Sequence, residues 1–241
     1  MAPTYNVGSR DRCLNGLCGS ALIPSVIRID RDPVAGMTAR YIALLMSDTN
    51  SIAARKALLR AEALARRDLL SADERAAAAE AIASRPLPVP AGPGAVVSGF
   101  MPIRSEINPL PLLRRYAEAG ARLALPAIDE RGKPLRLRAW SVGETLVAGQ
   151  WGIREPAATA EEIDPDIMLV PLAAFDRRGS RVGYGAGYYD MTIAGVRSRK
   201  PVLAIGIAYA VQEFPEVPVT GRDEPLDLML TEREVIDCRG A

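Results

Sequence analysis

Short apolar runs alternate with helix-forming stretches along most of the chain. Four runs are rich in apolar side chains and are predicted to be strands, at residues 95–100, 122–127, 167–171 and 202–208. These runs are apolar on both faces, which is typical of strands that are buried on both sides of a parallel sheet. Because helical stretches separate several of them, we predict an α/β fold of three layers, α/β/α, with a mostly parallel central sheet.

The predicted helices have recognisable boundaries. Residues 51–70 are rich in strong helix formers. The apolar pattern of this first helix is expected to be framed by Leu58, Leu59, Leu69 and Leu70. Ser71 and Glu74 fit a capping box, so a second helix is predicted to begin there. A third helix is predicted over residues 109–120, between a proline and a glycine, and a fourth after Tyr189.

The first 45 residues do not share this pattern. They lack a sustained apolar period and contain two of the three cysteines. We therefore expect a poorly ordered N-terminal extension over residues 1–45 and a single α/β domain over residues 46–241. Since the helix-forming stretch begins just after Met46, one hypothesis is that natural translation starts there. Peptides upstream of Met46 in a mass spectrum of the natively expressed protein would contradict this hypothesis.

Composition narrows the function mainly by exclusion. The 30 Lys and Arg residues balance the 29 Asp and Glu residues, so net charge gives no reason to expect nucleic acid or an anionic membrane as a partner. No run approaches the roughly 18 apolar residues of a membrane-spanning helix, and we expect a cytoplasmic protein. The absence of histidine excludes Ser–His and Cys–His nucleophiles, and three cysteines indicate neither a disulfide framework nor a zinc site.

The densest chemical signal is a glycine-rich loop between a buried strand and the start of a helix. Gly183, Gly185 and Gly187 occupy alternate positions, so backbone N–H groups can approach phosphate oxygens closely. Ligands of open α/β sheets bind at such strand ends. The loop matches neither the dinucleotide fingerprint nor the P-loop, so a plain structural turn is the alternative on the glycines alone.

Charged residues near this loop and on the first predicted helix also favour a site for phosphates and a metal ion. Asp190 follows the loop and Asp223 offers a second carboxylate, which suits Mg²⁺ held together with substrate phosphates. The alternative for Asp190 is a helix N-terminal residue favoured by the helix dipole. Lys56 and Arg60 project from one helix face and suit a polyphosphate, although a solvated basic face is the alternative. Arg181 would add a further positive charge.

These residues belong to an ordered set of motifs that resembles the formyltetrahydrofolate cyclo-ligase family over about residues 52–234. The matching motifs are, in chain order, KALLR from residue 56, FMPIRSE from 100, LP at 125, WGIREP from 151, VPLAAFDRRGSRVGYGAGYYD from 170, AIGIA from 204, Gln212, Asp223 and TE at 231. No single fragment is decisive, and the resemblance rests on their order.

The resemblance implies a role for each matched residue. Arg181 and Tyr188 would be catalytic, and Asp190 and Asp223 would hold Mg²⁺. The residues implied for ATP are Lys56, Arg60, Arg181, Val182, Gly183, Tyr184, Gly185, Ala186, Gly187, Tyr188 and Tyr189. The residues implied for the folate are Met101, Glu106, Tyr184, Gly185, Ala186, Gly187 and Tyr188.

The resemblance also implies a fold and a reaction. The fold would be that of the NagB, RpiA and CoA-transferase group. The formyl oxygen at N5 of 5-formyltetrahydrofolate would attack the γ-phosphorus of ATP, and N10 would then add to the activated carbon. Loss of phosphate would leave 5,10-methenyltetrahydrofolate, ADP and inorganic phosphate. Such phosphoryl transfer requires positioning and charge neutralisation rather than a histidine.

Two positions depart from the family pattern. Ala127 stands where many members have an arginine, and Arg122 or Arg138 is a candidate replacement. Arg222 stands where members often have histidine or tryptophan, and an ion pair between Arg222 and Asp223 would weaken metal binding.

Two other function classes stay open on the sequence alone. The fold could be kept as a non-catalytic folate-binding or nucleotide-binding module. A sugar-phosphate isomerase or a CoA-transferase would share the sheet but would give no task to Lys56 with Arg60, or to Asp190 with Asp223. We expect a monomer whose partners are a folate and ATP, with no nucleic acid and no membrane.

Overall fold

The computed structural model describes residues 51–240. The predicted extension over residues 1–45 and the predicted start at Met46 lie outside this range. The helices are α1 (Ile52–Asp68), α2 (Ala72–Ser84), α3 (Leu110–Glu118) and α4 (Tyr188–Arg197). The strands are β1 (Val96–Ser98), β2 (Arg122–Ala127), β3 (Arg136–Trp140), β4 (Val147–Ala148), β5 (Arg154–Glu155), β6 (Ile167–Pro171), β7 (Ala174–Phe175), β8 (Arg181–Val182), β9 (Leu203–Ile207), β10 (Leu228–Leu230) and β11 (Val235–Asp237). Short 3₁₀ helices cover Gln150–Gly152 and Ala210–Gln212.

Seven of these strands form one sheet in the order β11-β10-β9-β6-β1-β2-β3. The four predicted strands lie side by side as β2, β1, β6 and β9, and all pair in parallel, as does β10 with β9. The edge strands β3 and β11 run antiparallel to their neighbours. The prediction of a mostly parallel sheet is therefore confirmed, and five strands bring their carboxyl ends to one edge.

Side chains of the parallel strands alternate between two buried layers. One set packs with α2 and α3, and it includes Val97, Leu123, Leu125, Leu169 and Ile205. The other set packs with Ile193 and Val196 of α4, and it includes Val96, Ala124, Met168, Ala204 and Met229. Since helices cover both faces of the sheet, the predicted three layers are confirmed.

The first two helices begin where the sequence predicts. The Ser51 hydroxyl accepts a hydrogen bond from the Ala54 N–H at 3.2 Å, and α1 starts at the next residue. Ser71 and Glu74 form both hydrogen bonds of a capping box at the start of α2. Within residues 51–240, no helix is long and apolar enough to cross a bilayer.

The apolar face of α1 differs from the prediction. Leu58 is 62% exposed and Leu69 is 86% exposed, so these two leucines do not frame a buried face. Instead, the fully buried Ala63 packs with Val182 and Phe214. The reason is that α1 covers segments that follow β6 and β9, where only a narrow strip of the helix is buried, rather than a face of the sheet.

Candidate active site

A cavity of about 850 Å³ lies at the edge where the parallel strands end. Its wall includes Phe100 and Met101 after β1, Pro126 in β2 and Pro171 at the end of β6. This is the edge at which open α/β sheets bind ligands, and the volume is in the range of small-molecule sites. The residues that the family resemblance implied for ATP, the folate and Mg²⁺ all line this cavity, namely Lys56, Arg60, Met101, Glu106, residues 181–190 and Asp223. The structure thus brings together four segments that are far apart in the chain.

The glycine-rich loop has an unusual backbone at two of its three glycines. Gly185 has φ +101° and Gly187 has φ +69°, a region that residues with a Cβ rarely adopt. Gly183 has no such requirement, and no heavy atom lies within 4 Å of the position its Cβ would take. Arg60 Nε donates to the Gly183 carbonyl oxygen at 2.6 Å, which ties the loop to α1. Gly187 also precedes the first turn of α4, so N–H groups of that turn face the loop.

Asp223 is paired with a lysine of α1. Lys56 Nζ lies 2.5 Å from Asp223 Oδ2, which also accepts from the Thr220 N–H and hydroxyl. Burial raises the pKa of Asp223, but the hydrogen bonds from Lys56 and Thr220 outweigh burial and hold the pKa below its usual value. The predicted ion pair between Arg222 and Asp223 is therefore wrong, because Lys56 takes that place.

Asp190 is paired with the arginine that begins β8. Arg181 Nη2 lies 2.7 Å from Asp190 Oδ1, and Arg181 Nη1 donates to the Glu224 carbonyl oxygen at 2.5 Å. Asp190 Oδ1 also accepts from the Glu224 N–H at 3.1 Å. Burial lowers the pKa of Arg181, although the carboxylates of Asp190 and Asp223 act in the opposite direction. Arg181 is thus a buried cation that interacts electrostatically with both candidate metal ligands.

These two carboxylates suit a magnesium ion that is also bound by phosphates. The hydrogen bonds described above use one oxygen of Asp190 and one of Asp223. No group of three or more acidic, cysteine or histidine side chains suited to a metal occurs in the described part of the chain. A site with only one or two carboxylates is the usual form for Mg²⁺ that shares its coordination with substrate phosphates and water.

Glu106 forms the most buried acidic group of the cavity wall. It is 8% exposed, and its Oε2 accepts from the Ile103 N–H at 2.8 Å. Its other oxygen, Oε1, is buried and receives no hydrogen bond of normal geometry from residues 51–240. Burial raises the pKa of Glu106, whereas Tyr184, the Ile103 N–H and Arg67 lower it. A buried carboxylate oxygen in a cavity wall is suited to accept a hydrogen bond from a ligand.

Three arginines of the cavity wall were not predicted. Arg67 belongs to α1, Arg104 follows β1 and Arg154 begins β5. Arg104 and Arg154 form no ion pair with the residues described. The sequence does contain a signal for Arg67, which follows Lys56 and Arg60 by eleven and seven positions and so lies on the same helix face.

The arginines proposed to replace the one missing at Ala127 lie elsewhere. Arg122 is at the amino end of β2 and pairs with Glu161 at 2.6 Å. Arg138 is buried in β3 and pairs with Asp129 at 2.6 Å. Neither lines the cavity, so both candidates were wrong. Arg122 lies several positions before the end of β2, and Arg138 lies on the edge strand β3. Both are therefore away from the ligand side of the sheet.

The fold and the cavity together define an α/β enzyme with its ligand site at the strand ends. The model of the 5-formyltetrahydrofolate cyclo-ligase family matches residues 52–232, and the chain belongs to this family. Its membership identifies the chain as a ligase of folate one-carbon metabolism, as the motifs predicted.

Curated relatives and solved structures agree with this assignment. The chain is 36% identical over 151 residues to 5-formyltetrahydrofolate cyclo-ligase of Mycolicibacterium smegmatis, covering 59% of this chain and 76% of that protein. It is 31% identical over 145 residues to 5-formyltetrahydrofolate cyclo-ligase of Escherichia coli (strain K12), covering 58% and 79%. The solved 5,10-methenyltetrahydrofolate synthetase of Aquifex aeolicus has a TM-score of 0.63 and 31% identity, covering 77% and 94%. The synthetase of Mycoplasma pneumoniae, with a TM-score of 0.57, 21% identity and coverage of 73% and 98%, supports the fold alone. The predicted fold group, that of NagB, RpiA and CoA-transferases, is confirmed.

Proposed function

We propose that this chain converts 5-formyltetrahydrofolate and ATP into 5,10-methenyltetrahydrofolate, ADP and phosphate, with Mg²⁺ as cofactor. The observation that carries the proposal is that the residues predicted for ATP and those predicted for the folate line the same cavity. The cations Lys56, Arg60 and Arg181 and the glycine-rich loop line it together with Met101 and Glu106. A folate and a nucleotide bound to these residues would meet in one cavity, as phosphoryl transfer between them requires.

The chemistry explains why ATP is needed. The oxygen of an N-formyl group is a poor leaving group, so ring closure requires its activation. Transfer of the γ-phosphoryl group to this oxygen breaks the bond to ADP and converts the oxygen into part of a phosphate. The N10 lone pair then adds to the formyl carbon and the N10 proton is released. Departure of phosphate with the former formyl oxygen leaves the methenyl cation, so atoms and charges balance.

Each charged residue has a task in this proposal. Lys56 and Arg60 bind phosphate oxygens, and the buried Arg181 stabilises the charge of the transferred phosphoryl group. Tyr188, which begins α4, orients the reacting groups beside the loop. Asp190 and Asp223 would hold Mg²⁺, which when bound neutralises phosphate charge.

The two unpaired arginines of the cavity wall suit the remaining charged part of a folate. 5-Formyltetrahydrofolate ends in a glutamate with two carboxylates, for which guanidinium groups are good partners. Arg104 and Arg154 are exposed on the wall that also contains Met101 and Glu106. Arg104 has φ +55°, and the turn that this backbone makes leads directly into the buried Ser105 and Glu106. We assign both arginines to the glutamate carboxylates.

An absorbance assay of the methenyl product tests the proposal. Product is expected from 5-formyltetrahydrofolate with ATP and Mg²⁺, and none when ATP is omitted. Asp190→Ala is expected to abolish turnover while Arg55→Met, an exposed change on α1 outside the cavity, leaves it intact. If the protein binds 5-formyltetrahydrofolate but releases no phosphate from MgATP, it is a non-catalytic module on the same fold. Full activity of Asp190→Ala would contradict the metal assignment.

A further inference from the structure

Arg67 is a buried cation in the wall of the cavity to which no motif assigns a role. It is 2% exposed and lies on α1, one helix turn after the buried Ala63. Buried arginines are usually paired with a carboxylate, because an isolated charge is costly to remove from water. The carboxylate oxygen that pairs with Arg67, Asp68 Oδ1, is 4.0 Å from its Nε, at the limit of an ion pair. No carboxylate therefore forms a close ion pair with Arg67 among the residues described, and its nearest polar partners are hydroxyl groups.

Two hydroxyl groups accept hydrogen bonds from Arg67. Its Nε donates to Ser105 Oγ at 3.0 Å, and its Nη1 donates to the Tyr184 hydroxyl at 2.6 Å. The Ser105 hydroxyl in turn donates to Asp68. Because the Tyr184 oxygen accepts from a cation, its own proton is free to point away from Arg67. Arg67 thus fixes a residue of the glycine-rich loop and the residue that precedes Glu106.

The Tyr184 hydroxyl lies beside the Glu106 carboxylate and interacts with it. Glu106 Oε1 is buried without a hydrogen bond of normal geometry from residues 51–240, in a side chain that is more than nine-tenths buried. Asp68, Ser105, Arg67, Tyr184 and Glu106 therefore form a continuous polar chain that ends at the cavity. The end of this chain is a carboxylate on the cavity wall that can accept further hydrogen bonds from a ligand.

We propose that Arg67 is a positioning residue, which through Tyr184 and its own charge keeps Glu106 ionised and aimed at the N–H groups of the substrate's pterin ring. This inference rests on the proposed function, because it takes a folate as the ligand that Glu106 receives. A carboxylate accepts hydrogen bonds from adjacent N–H groups, whereas a protonated carboxyl group must turn one oxygen into a donor.

The surroundings of Glu106 make its charge depend on Tyr184 and on Arg67, which holds Tyr184 in place. The titratable groups that face it are Arg67 from α1, Tyr184 from the loop, Tyr189 from α4 and Tyr209 before the second 3₁₀ helix. Burial raises the pKa of Glu106, while the hydrogen bond from Tyr184 and the charge of Arg67 lower it. The tyrosines are neutral hydroxyls at ordinary pH, and burial raises their pKa values further. Loss of Arg67 therefore raises the pKa of Glu106 further, and Glu106 takes up a proton at higher pH.

The test is calorimetric binding of 5-formyltetrahydrofolate without ATP as a function of pH, from the range in which an ordinary glutamate titrates up to mildly alkaline pH. Arg67→Met is expected to weaken binding about tenfold near neutral pH, as for loss of one hydrogen bond to a charged group. As the pH is lowered, Arg67→Met is also expected to lose binding at a higher pH than the wild type. Arg67→Lys keeps the charge and should restore the pH midpoint without full affinity. Tyr184→Phe should shift the midpoint in the same direction, because the Tyr184 hydrogen bond also lowers the pKa of Glu106.

Controls separate a positioning role from a structural one. Glu106→Gln is expected to remove the pH dependence, and Arg67→Met in the Glu106→Gln protein should then weaken binding little further. Arg55→Met on the same helix should match the wild type, and thermal melting shows whether each variant folds. Should Arg67→Met fail to fold, Tyr184→Phe and Arg67→Lys still test the pH shift.

The outcomes also separate this inference from the proposed function. If Arg67→Met weakens binding by the same factor at every pH, and also in the Glu106→Gln protein, Arg67 has only a structural role and the inference is overturned. An unchanged pH midpoint in Tyr184→Phe, with a folded protein, overturns it as well. If the wild type neither binds nor converts 5-formyltetrahydrofolate, the proposed function fails and this inference fails with it.

Discussion

At the scale of single residues, the charged side chains of the cavity wall form two ion pairs. Lys56 pairs with Asp223 and Arg181 pairs with Asp190, so two cations proposed to bind phosphate are joined to two candidate metal ligands. When MgATP binds in the proposed way, the cations turn to phosphate oxygens and the carboxylates to the metal. This exchange of partners implies that Mg²⁺ and ATP assist each other's binding, since each releases the partner of the other.

Replacement of Lys56 therefore has opposite effects on the two ligands. Lys56→Met should raise the KM for ATP by about tenfold, as expected for one lost charged hydrogen bond. The same change should tighten the binding of Mg²⁺ or Mn²⁺ to the protein without nucleotide, because Asp223 is no longer occupied. Both quantities can be measured by calorimetry and steady-state kinetics, with Arg55→Met as control. Weaker metal binding in Lys56→Met would contradict the exchange.

The glutamate carboxylates of the substrate give a second prediction at this scale. Arg104→Met and Arg154→Met should each raise the KM for 5-formyltetrahydrofolate several-fold, by about the amount expected for a partly exposed charged pair. The KM for ATP and kcat should change little, because neither arginine contacts the reacting groups in the proposal. The effect should decrease at high salt. A loss confined to kcat would show that the two arginines act on the chemistry instead.

At the scale of elements, α1 packs on the segments that follow β6 and β9 and is tied to the glycine-rich loop by Arg60. Lys56, Arg60, Ala63 and Arg67 follow each other at helical spacing, so one face carries three cations and one close packing contact. Ala63 is fully buried against Val182 of β8, two residues before Tyr184. The position of this helix therefore sets the position of the cations relative to the loop.

Overpacking at Ala63 should disturb the site through this contact. Ala63→Leu is expected to cost about 1–3 kcal/mol of stability and to raise the KM for ATP, because α1 moves away from the loop. Leu58→Ala on the exposed side of the same helix should change both quantities little. Thermal melting and steady-state kinetics measure the two effects. If both variants have the same melting temperature and the same KM for ATP, the packing of α1 does not determine the geometry of the site.

The loop itself gives a matched pair of glycine changes. Gly185→Ala places a Cβ at φ +101°, which is expected to cost roughly 1–2 kcal/mol. Gly183→Ala has neither the positive φ nor a neighbour within 4 Å, so it should leave the melting temperature close to that of the wild type. Calorimetric melting of both variants checks the difference. Equal melting temperatures would mean that the loop adopts another backbone in solution.

At the scale of the whole molecule, the central strands could be predicted and the edges could not. Residues 167–171 are apolar on both faces because β6 lies in the middle of the sheet, and this continuous run is visible in the sequence. β3 alternates arginine with apolar residues, as an edge strand does, and was missed. β10 and β11 have three residues each and lie next to charged residues such as Asp227 and Glu234, so neither belongs to an apolar run as long as the one around β1.

The candidate site was likewise predicted only in part from the sequence. The glycine-rich loop and its flanking Arg181 and Asp190 are contiguous or nearly so, and the family resemblance placed them in one site. The pairing of Lys56 with Asp223 joins residues 167 positions apart, and local pattern gives no signal of it. Arg67 was missed because its partners, Ser105 and Tyr184, come from two other segments.

The central claim is that the formyl oxygen of the substrate becomes part of the released phosphate. The most direct measurement supplies 5-formyltetrahydrofolate with a heavy oxygen isotope in the formyl group, together with unlabelled MgATP, and analyses the phosphate by mass spectrometry. The account predicts one labelled oxygen in each phosphate released, in equal amount to the methenyl product. Unlabelled phosphate, or methenyl product formed without ADP, would contradict it.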